Sequence, residues 1–127
     1  MAALFRQLGY PDAGAGLADR LSALLEDPRA DVLVAAAKGA LVGAVTMFFL
    51  PVAHEDGPWC RISALVVDEE HRGRGVGESL LAAAESAARA AGCSRIEATS
   101  ALHREGAHRF YAARGYASGS QHFLKRF

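Results

Sequence analysis

Leu17, Leu21, Leu24 and Leu25 recur at the spacing of one helical face, and the pattern stops at Asp27-Pro28, which predicts an amphipathic helix ended there. Ahead of it, Ala2 to Leu8 reads as the end of a helix closed at Gly9, with Tyr10-Pro11-Asp12 as the turn. The period then shortens. Asp31 to Ala36 holds the apolar run Val32-Leu33-Val34, Lys38-Gly39 is a turn signal, and Ala40 to Leu50 is apolar almost throughout; together they predict a hairpin of buried strands. Pro51 to Trp59 is a polar loop, and Arg61 to Val67 a third strand. From Val76 onward Leu80, Leu81, Ala84, Ala87, Ala88 and Ala91 line one helical face, while Glu78, Glu85 and Arg89 fall elsewhere. Gly92 ends that helix and Arg95 to Ser100 is the next strand, so strand, helix and strand form a crossover with parallel strands. A last helix over His103 to Arg114 is stopped at Gly115, and Tyr116 to Phe127 supplies one or two short strands.

Alternating helical and strand periods over 127 residues predict one α/β domain spanning 1–127. The formal net charge is zero, so the general basic excess of a nucleic-acid binder is absent, and no nucleic-acid partner is expected. The longest apolar run, Gly39 to Ala53, is interrupted by Thr46 and Pro51 and is too short to span a bilayer, so no membrane partner is expected either. Cys60 and Cys93 lack CxxC pairing and a His at zinc-ligand spacing; they read as two buried or half-buried thiols, with no metal site. The start Met-Ala-Ala-Leu-Phe-Arg-Gln has no basic n-region or long apolar segment, which makes the cytoplasm the expected location.

The stretch from Ser63 to Gly77 changes the picture. Strand Leu65-Val66-Val67 gives way to charge, and then Gly73, Gly75 and Gly77 occupy every second position before an apolar-periodic helix. Glycines let backbone approach an anion, and successive N–H groups at a helix start favour negative charge. Arg72 and Arg74 flank them and add charge-assisted contacts. The nucleotide-hydrolysing GxxxxGK[ST] pattern is absent. The dinucleotide pattern GxGxxG fails because Glu78 stands where its third glycine belongs, although Glu97 lies at about the right distance to imitate that motif's ribose acid.

Arg72, Gly75 and Gly77 match the acyl-CoA-binding pattern of the GNAT superfamily of N-acetyltransferases: Arg or Gln, two residues, Gly, one residue, Gly or Ala. Ala107-His108-Arg109-Phe110-Tyr111-Ala112-Ala113-Arg114-Gly115-Tyr116 is similar to that family's AxxFYxxxGF/Y ending. The resemblance covers about Leu17 to the C-terminus and implies a GNAT-like mixed central sheet flanked by helices, with the usual first strand absent or truncated. A sheet edge left bare in that way favours pairing with a second copy as a homodimer. The implied reaction is direct transfer of an acetyl group from acetyl-CoA to a primary amine in a ternary complex. Gly73 to Glu78, including Val76, would bind the diphosphate, and the backbone of Leu65, Val66 and Val67 would align pantetheine and polarise the thioester carbonyl. Tyr111 stands where many members place a phenol that protonates the leaving thiolate.

Other assignments stay open. Tyr111 also reads as half of a packed aromatic pair with Phe110. Glu97 is the first choice for accepting the amine's proton, with the ungapped family count landing instead on Thr99; the bland reading makes Glu97 a surface carboxylate. His54, His103 and His108 are lesser choices. The family's usual Asn is Arg104 here, so that amide contact is not carried over. The polar cluster His54, Glu55, Asp56 and Gly57 is either a solvated turn or a border of the amine site. The alternative function is a non-catalytic acyl-CoA sensor, and a third is a binder of another phosphorylated ligand.

Overall fold

The computed structural model describes residue 3, residues 16–99, 105–119 and 122–127. Ala3 is helical; the rest of the Ala2–Leu8 helix, and with it the first-strand expectation, lies outside the described residues. Helix α1 (Leu17–Glu26) ends at Asp27, whose backbone is extended and whose carboxylate accepts the Arg29 N–H at 2.9 Å, turning the chain into strand β1 (Ala30–Ala37). Lys38 and Gly39, at φ 51 and 79, make the tight turn into β2 (Ala40–Leu50). Two successive positive φ values match the twist of a two-residue hairpin. Strand β3 (Trp59–Val67) runs antiparallel to β2, and the chain crosses through helix α2 (Val76–Ala90) to β4 (Arg95–Ala98), which is parallel to β3. Sheet order is β1-β2-β3-β4.

Val45, Met47, Cys60 and Ile62 on one face of the sheet meet Leu80, Leu81, Ala84 and Ala88 of α2. Leu33, Ala35, Leu65, Val67, Ile96 and Ala98 extend this core at partial burial. The opposite face, with Val42, Ala44, Thr46, Ala64 and Val66, is buried as well, which explains why β2 reads as a continuous apolar run rather than an alternation. The alanines of α2 and Gly43 of β2 set how closely helix and sheet approach. A Cβ at Gly43 would lie 2.8 Å from Leu80 Cδ1, 3.1 Å from Val76 Cγ1 and 3.2 Å from the Val66 carbonyl oxygen. Gly43→Val is therefore expected to cost about 1–3 kcal/mol by overpacking, read as a lower denaturant midpoint with an unchanged slope.

Two sequence expectations shift. Strand β3 begins at Trp59, two residues earlier than expected, because Trp59 and Cys60 pair with Arg95 and Ile96. The strands expected within Tyr116–Phe127 are absent among the described residues of that stretch. Phe123, Leu124 and Phe127 are exposed there, so the segment has no packed face of the kind that would favour a ladder. The helix expected over His103 to Arg114 is seen as α3 (Glu105–Ala113), followed by Gly115 at φ 88; positions 103 and 104 fall outside the described residues. Ser100 does too, and β4 is seen as far as Ala98.

Candidate active site

Strands β3 and β4 pair from Trp59↔Arg95 to Ile62↔Ala98 and no further. At that point β3 carries a bulge: Met47 faces Ile62 and Thr46 faces Ala64, which leaves Ser63 as the extra residue. An extra residue bends a strand and inverts its alternation. Cys60 and Ile62 before the bulge, and Leu65 and Val67 after it, all pack on the α2 side. Beyond Ile62 the outer edge of β3 has no strand partner among the described residues. The Asp68 N–H donates to the Val42 carbonyl at 2.8 Å. By alternation, Val66 also turns its main-chain groups to β2, while Leu65 and Val67 turn theirs outward along the open edge.

That edge leads into the glycine loop. After a short 3-10 turn (Glu69–His71), in which His71 Nδ1 lies 2.8 Å from Asp68 Oδ2, come Gly73 at φ 77 and Gly75 at φ 82, the residue that opens α2. Both sit in the left-handed region that side chains resist. Gly77 is needed for another reason: its Cβ would lie 3.2 Å from the Phe110 ring and 3.6 Å from Val67. Among the described residues, no N–H from Gly75 to Glu78 donates to a protein acceptor; the first main-chain bond of the helix is Ser79 N–H to the Gly75 carbonyl at 3.0 Å. The result is a run of unclaimed donors at the positive end of a four-turn helix. Arg72 folds back, and its Nε donates to the outward Val67 carbonyl at 3.1 Å. Arg74 is exposed. Glu78 is ion-paired with Arg114, whose guanidinium also lies 4.1 Å over the Phe110 ring and donates to the Phe110 carbonyl at 2.9 Å. Arg114 was not legible as a partner because the two residues are 36 apart in sequence.

This clasp docks α3 on the first turns of α2. Tyr111 joins the core that Leu65 and Val67 also contact, edge-on to Phe110 with ring centroids 5.3 Å apart and tilted to Tyr116 at the same distance. The Tyr116 hydroxyl donates to Glu85 at 2.8 Å, and burial together with that carboxylate pushes its pKa up. The Tyr111 hydroxyl has no hydrogen-bond partner among the described residues, and burial pushes its pKa up to about 12.

Glu97 lies on the sheet face away from α2, since its neighbours Ile96 and Ala98 pack toward the helix. In register with it, Arg61 donates to Glu97 Oε1 from Nε at 2.7 Å and again from Nη2, and Arg95 Nε stands 4.0 Å from the other oxygen. Arg95 also stacks 3.2 Å from the Trp59 ring centroid. Glu55 accepts from Trp59 Nε1 at 2.6 Å and from Ser94 Oγ at 3.0 Å, fastening the 51–58 loop to the start of β4. Those two bonds hold the Glu55 carboxyl below its ordinary pKa. His54 is exposed beside the Trp59 ring, His108 is exposed on α3, and Thr99 follows β4, exposed. His103 and Arg104 fall outside the described residues. Burial pushes the Cys60 thiol up to about 11 and raises that of Cys93 too, so neither is poised as a thiolate.

Residues 3–116 match the model of the acetyltransferase (GNAT) family. The chain belongs to the GNAT family. It is 35% identical over 107 residues to an aminoalkylphosphonate N-acetyltransferase of Salmonella typhimurium, a match covering 84% of this chain and 70% of that one. It is also similar to the structure of a GNAT family acetyltransferase from Staphylococcus aureus, with TM-score 0.84, 25% identity, and coverage of 99% of this chain and 86% of that one. The fold recurs in AAC(6')-Iy in complex with the bisubstrate analogue CoA-S-monomethyl-acetylneamine, with TM-score 0.82, 22% identity, and coverage of 99% and 88%. This GNAT chain is thus an acetyl-CoA-dependent acetyltransferase with a mixed α/β architecture. Among the described residues no helix is long and apolar enough to cross a membrane, and no three His, Cys, Asp or Glu side chains group as metal ligands would.

Proposed function

We propose that the chain transfers the acetyl group of acetyl-CoA to a primary amine by direct attack within a ternary complex, using the open edge of β3 and the glycine loop as the donor site. The observation that carries this reading is the run of unclaimed N–H groups from Gly75 to Glu78, in a glycine loop that follows the outward main chain of Val67 and Leu65. The loop donors take the diphosphate, with Arg74 beside them. The outward groups of Leu65 and Val67 pair with the pantetheine arm, and an N–H there stabilises the oxyanion formed on the thioester carbonyl. The amine nitrogen bonds to the carbonyl carbon, the C–S bond breaks, and the Tyr111 phenol passes its proton to the departing thiolate. The products are an N-acetyl amine and CoA.

Glu97 enters as the acceptor of the amine's proton, reached from the face opposite Tyr111, with Arg61 and Arg95 holding it in place. Donor-side acid and acceptor-side base then approach the acyl group from two sides of the sheet. Measuring kcat, the Kd of CoA and the melting temperature of Glu97→Gln tests this part: a large loss of kcat with CoA affinity and stability kept supports it, and unchanged kcat makes Glu97 a structural partner of Arg61.

The acceptor we favour is a small amine carrying an anionic group, the class named by the Salmonella relative. Thiol release from acetyl-CoA, followed over a panel of aminoalkylphosphonates, amino acids, polyamines and aminoglycosides, tests the reaction and ranks acceptors. Direct titration of CoA tests the donor site. Absence of CoA binding overturns the reading; binding without turnover across the panel removes the role given to Tyr111.

A further inference from the structure

The bulge in β3 is fastened by side chains. Ser63 Oγ donates to the Thr46 carbonyl at 3.2 Å and lies 2.6 Å from Thr46 Oγ1. Either hydroxyl can donate in the shorter contact, and in both arrangements the two side chains are joined. Thr46 is 4% exposed and is the buried polar side chain among the described residues. Its hydroxyl therefore needs a partner, and the extra residue of the bulge provides it. The two hydroxyls tie Ser63 to the strand with which it fails to pair.

The position matters because the alternation of β3 turns over here. Ile62 is the last residue paired with β4, and Leu65 is the first whose main chain faces the open edge. In a regular ladder without the extra residue, Ala64 and Val66 would inherit the inward side-chain direction of Cys60 and Ile62, and Leu65 and Val67 would exchange roles with them. The hydroxyl pair favours the bulged register over that one.

We propose that Ser63 is a positioning residue for acetyl transfer: tied to Thr46, it holds the bulge that turns the N–H groups of Leu65 and Val67 toward the thioester. The inference rests on the donor site proposed above. It concerns aim, not affinity for the diphosphate, which the glycine loop supplies at some remove.

The test compares wild type, Ser63→Ala and Ser63→Thr in three readouts: kcat and KM for acetyl-CoA with the best acceptor of the panel, the Kd of 3′-phospho-ADP, and the amide NMR shifts of Leu65 and Val67 on adding CoA. Ser63→Ala is expected to lower kcat roughly tenfold or more, since small misplacement of a reacting group is costly. The Kd of 3′-phospho-ADP, which has no pantetheine, stays within about twofold, because its phosphates meet loop donors that the proposal leaves untouched. Ser63→Thr keeps the hydroxyl and restores kcat. If Ser63→Ala does not fold, Thr46→Val replaces it, removing one hydroxyl of the pair and predicting the same split. Wild-type kcat in the alanine variant, equal damage in the threonine variant, or unaltered Leu65 and Val67 shifts overturns the role of Ser63 while leaving the donor site standing. Failure of wild-type protein to bind either CoA or 3′-phospho-ADP overturns the donor site, and the inference with it.

Discussion

Tyr111→Phe should lower kcat by about 100-fold or more with little change in KM for acetyl-CoA, because removing a general acid typically costs two to four powers of ten. The same substitution should leave thermal stability intact. Its hydroxyl gives up no hydrogen bond among the described residues, and the ring contacts to Phe110 and Tyr116 survive. A residue that merely packs would behave oppositely, with activity preserved, so steady-state kinetics and a melting curve on one variant separate the two roles. The pH dependence carries a further sign. Burial raises the Tyr111 pKa to about 12, against about 10 in an unfolded chain. Above pH 10 the unfolded state loses this proton first, so the stability tied to the neutral phenol is complete below about 10 and is lost as pH climbs toward 12. Tyr111→Phe should flatten that alkaline decline. Below pH 10 the phenol keeps its proton, so it adds no limb of its own to the rate profile there.

Gly75→Val should raise the Kd for acetyl-CoA roughly 100-fold, about 2.7 kcal/mol, while kcat at saturation stays within a few-fold. Gly75 sits at φ 82 at the threshold of α2 with open space where its Cβ would go, so the penalty is conformational rather than steric crowding by neighbours. A β-branched residue held there costs on the order of 1–3 kcal/mol, and the loop escapes that strain by rotating the amides away from their common direction. Losing one or two hydrogen bonds to a charged ligand accounts for an effect of this size. Calorimetric titration checks it. A variant that binds acetyl-CoA as tightly as wild type would show that the loop amides are not the anion donors.

How much of this was legible from the residues alone depended on whether a single position dictates its own geometry. Gly73 and Gly75 announce positive φ, and both have it. Gly77 was legible as part of the same pattern, but its reason, the approach of Phe110, belongs to a helix more than thirty positions away. The hairpin turn at Lys38-Gly39 and the stop at Asp27-Pro28 were fixed locally and fall where expected. The bulge was not readable: Ile62, Ala64 and Val66 alternate as regularly as any straight strand, and only the register against Thr46 and Met47 reveals the extra residue. Glu97 was singled out without its partner Arg61, because pairing across a parallel crossover leaves no mark in either local sequence. Among the described residues, the C-terminal expectation failed for the converse reason. Apolar residues at Phe123, Leu124 and Phe127 raise strand propensity, yet propensity without a neighbouring strand is too weak to order a ladder.

The bond from Arg72 to the Val67 carbonyl has a consequence for any peptide-like arm laid along β3. Its amide must compete with a guanidinium for that oxygen. Once displaced, the arginine is released a few residues from the glycine loop, where a doubly charged phosphate bridge would welcome it. On the proposed donor site, arrival of the arm and recruitment of the cation would be two halves of one handover, each favouring the other.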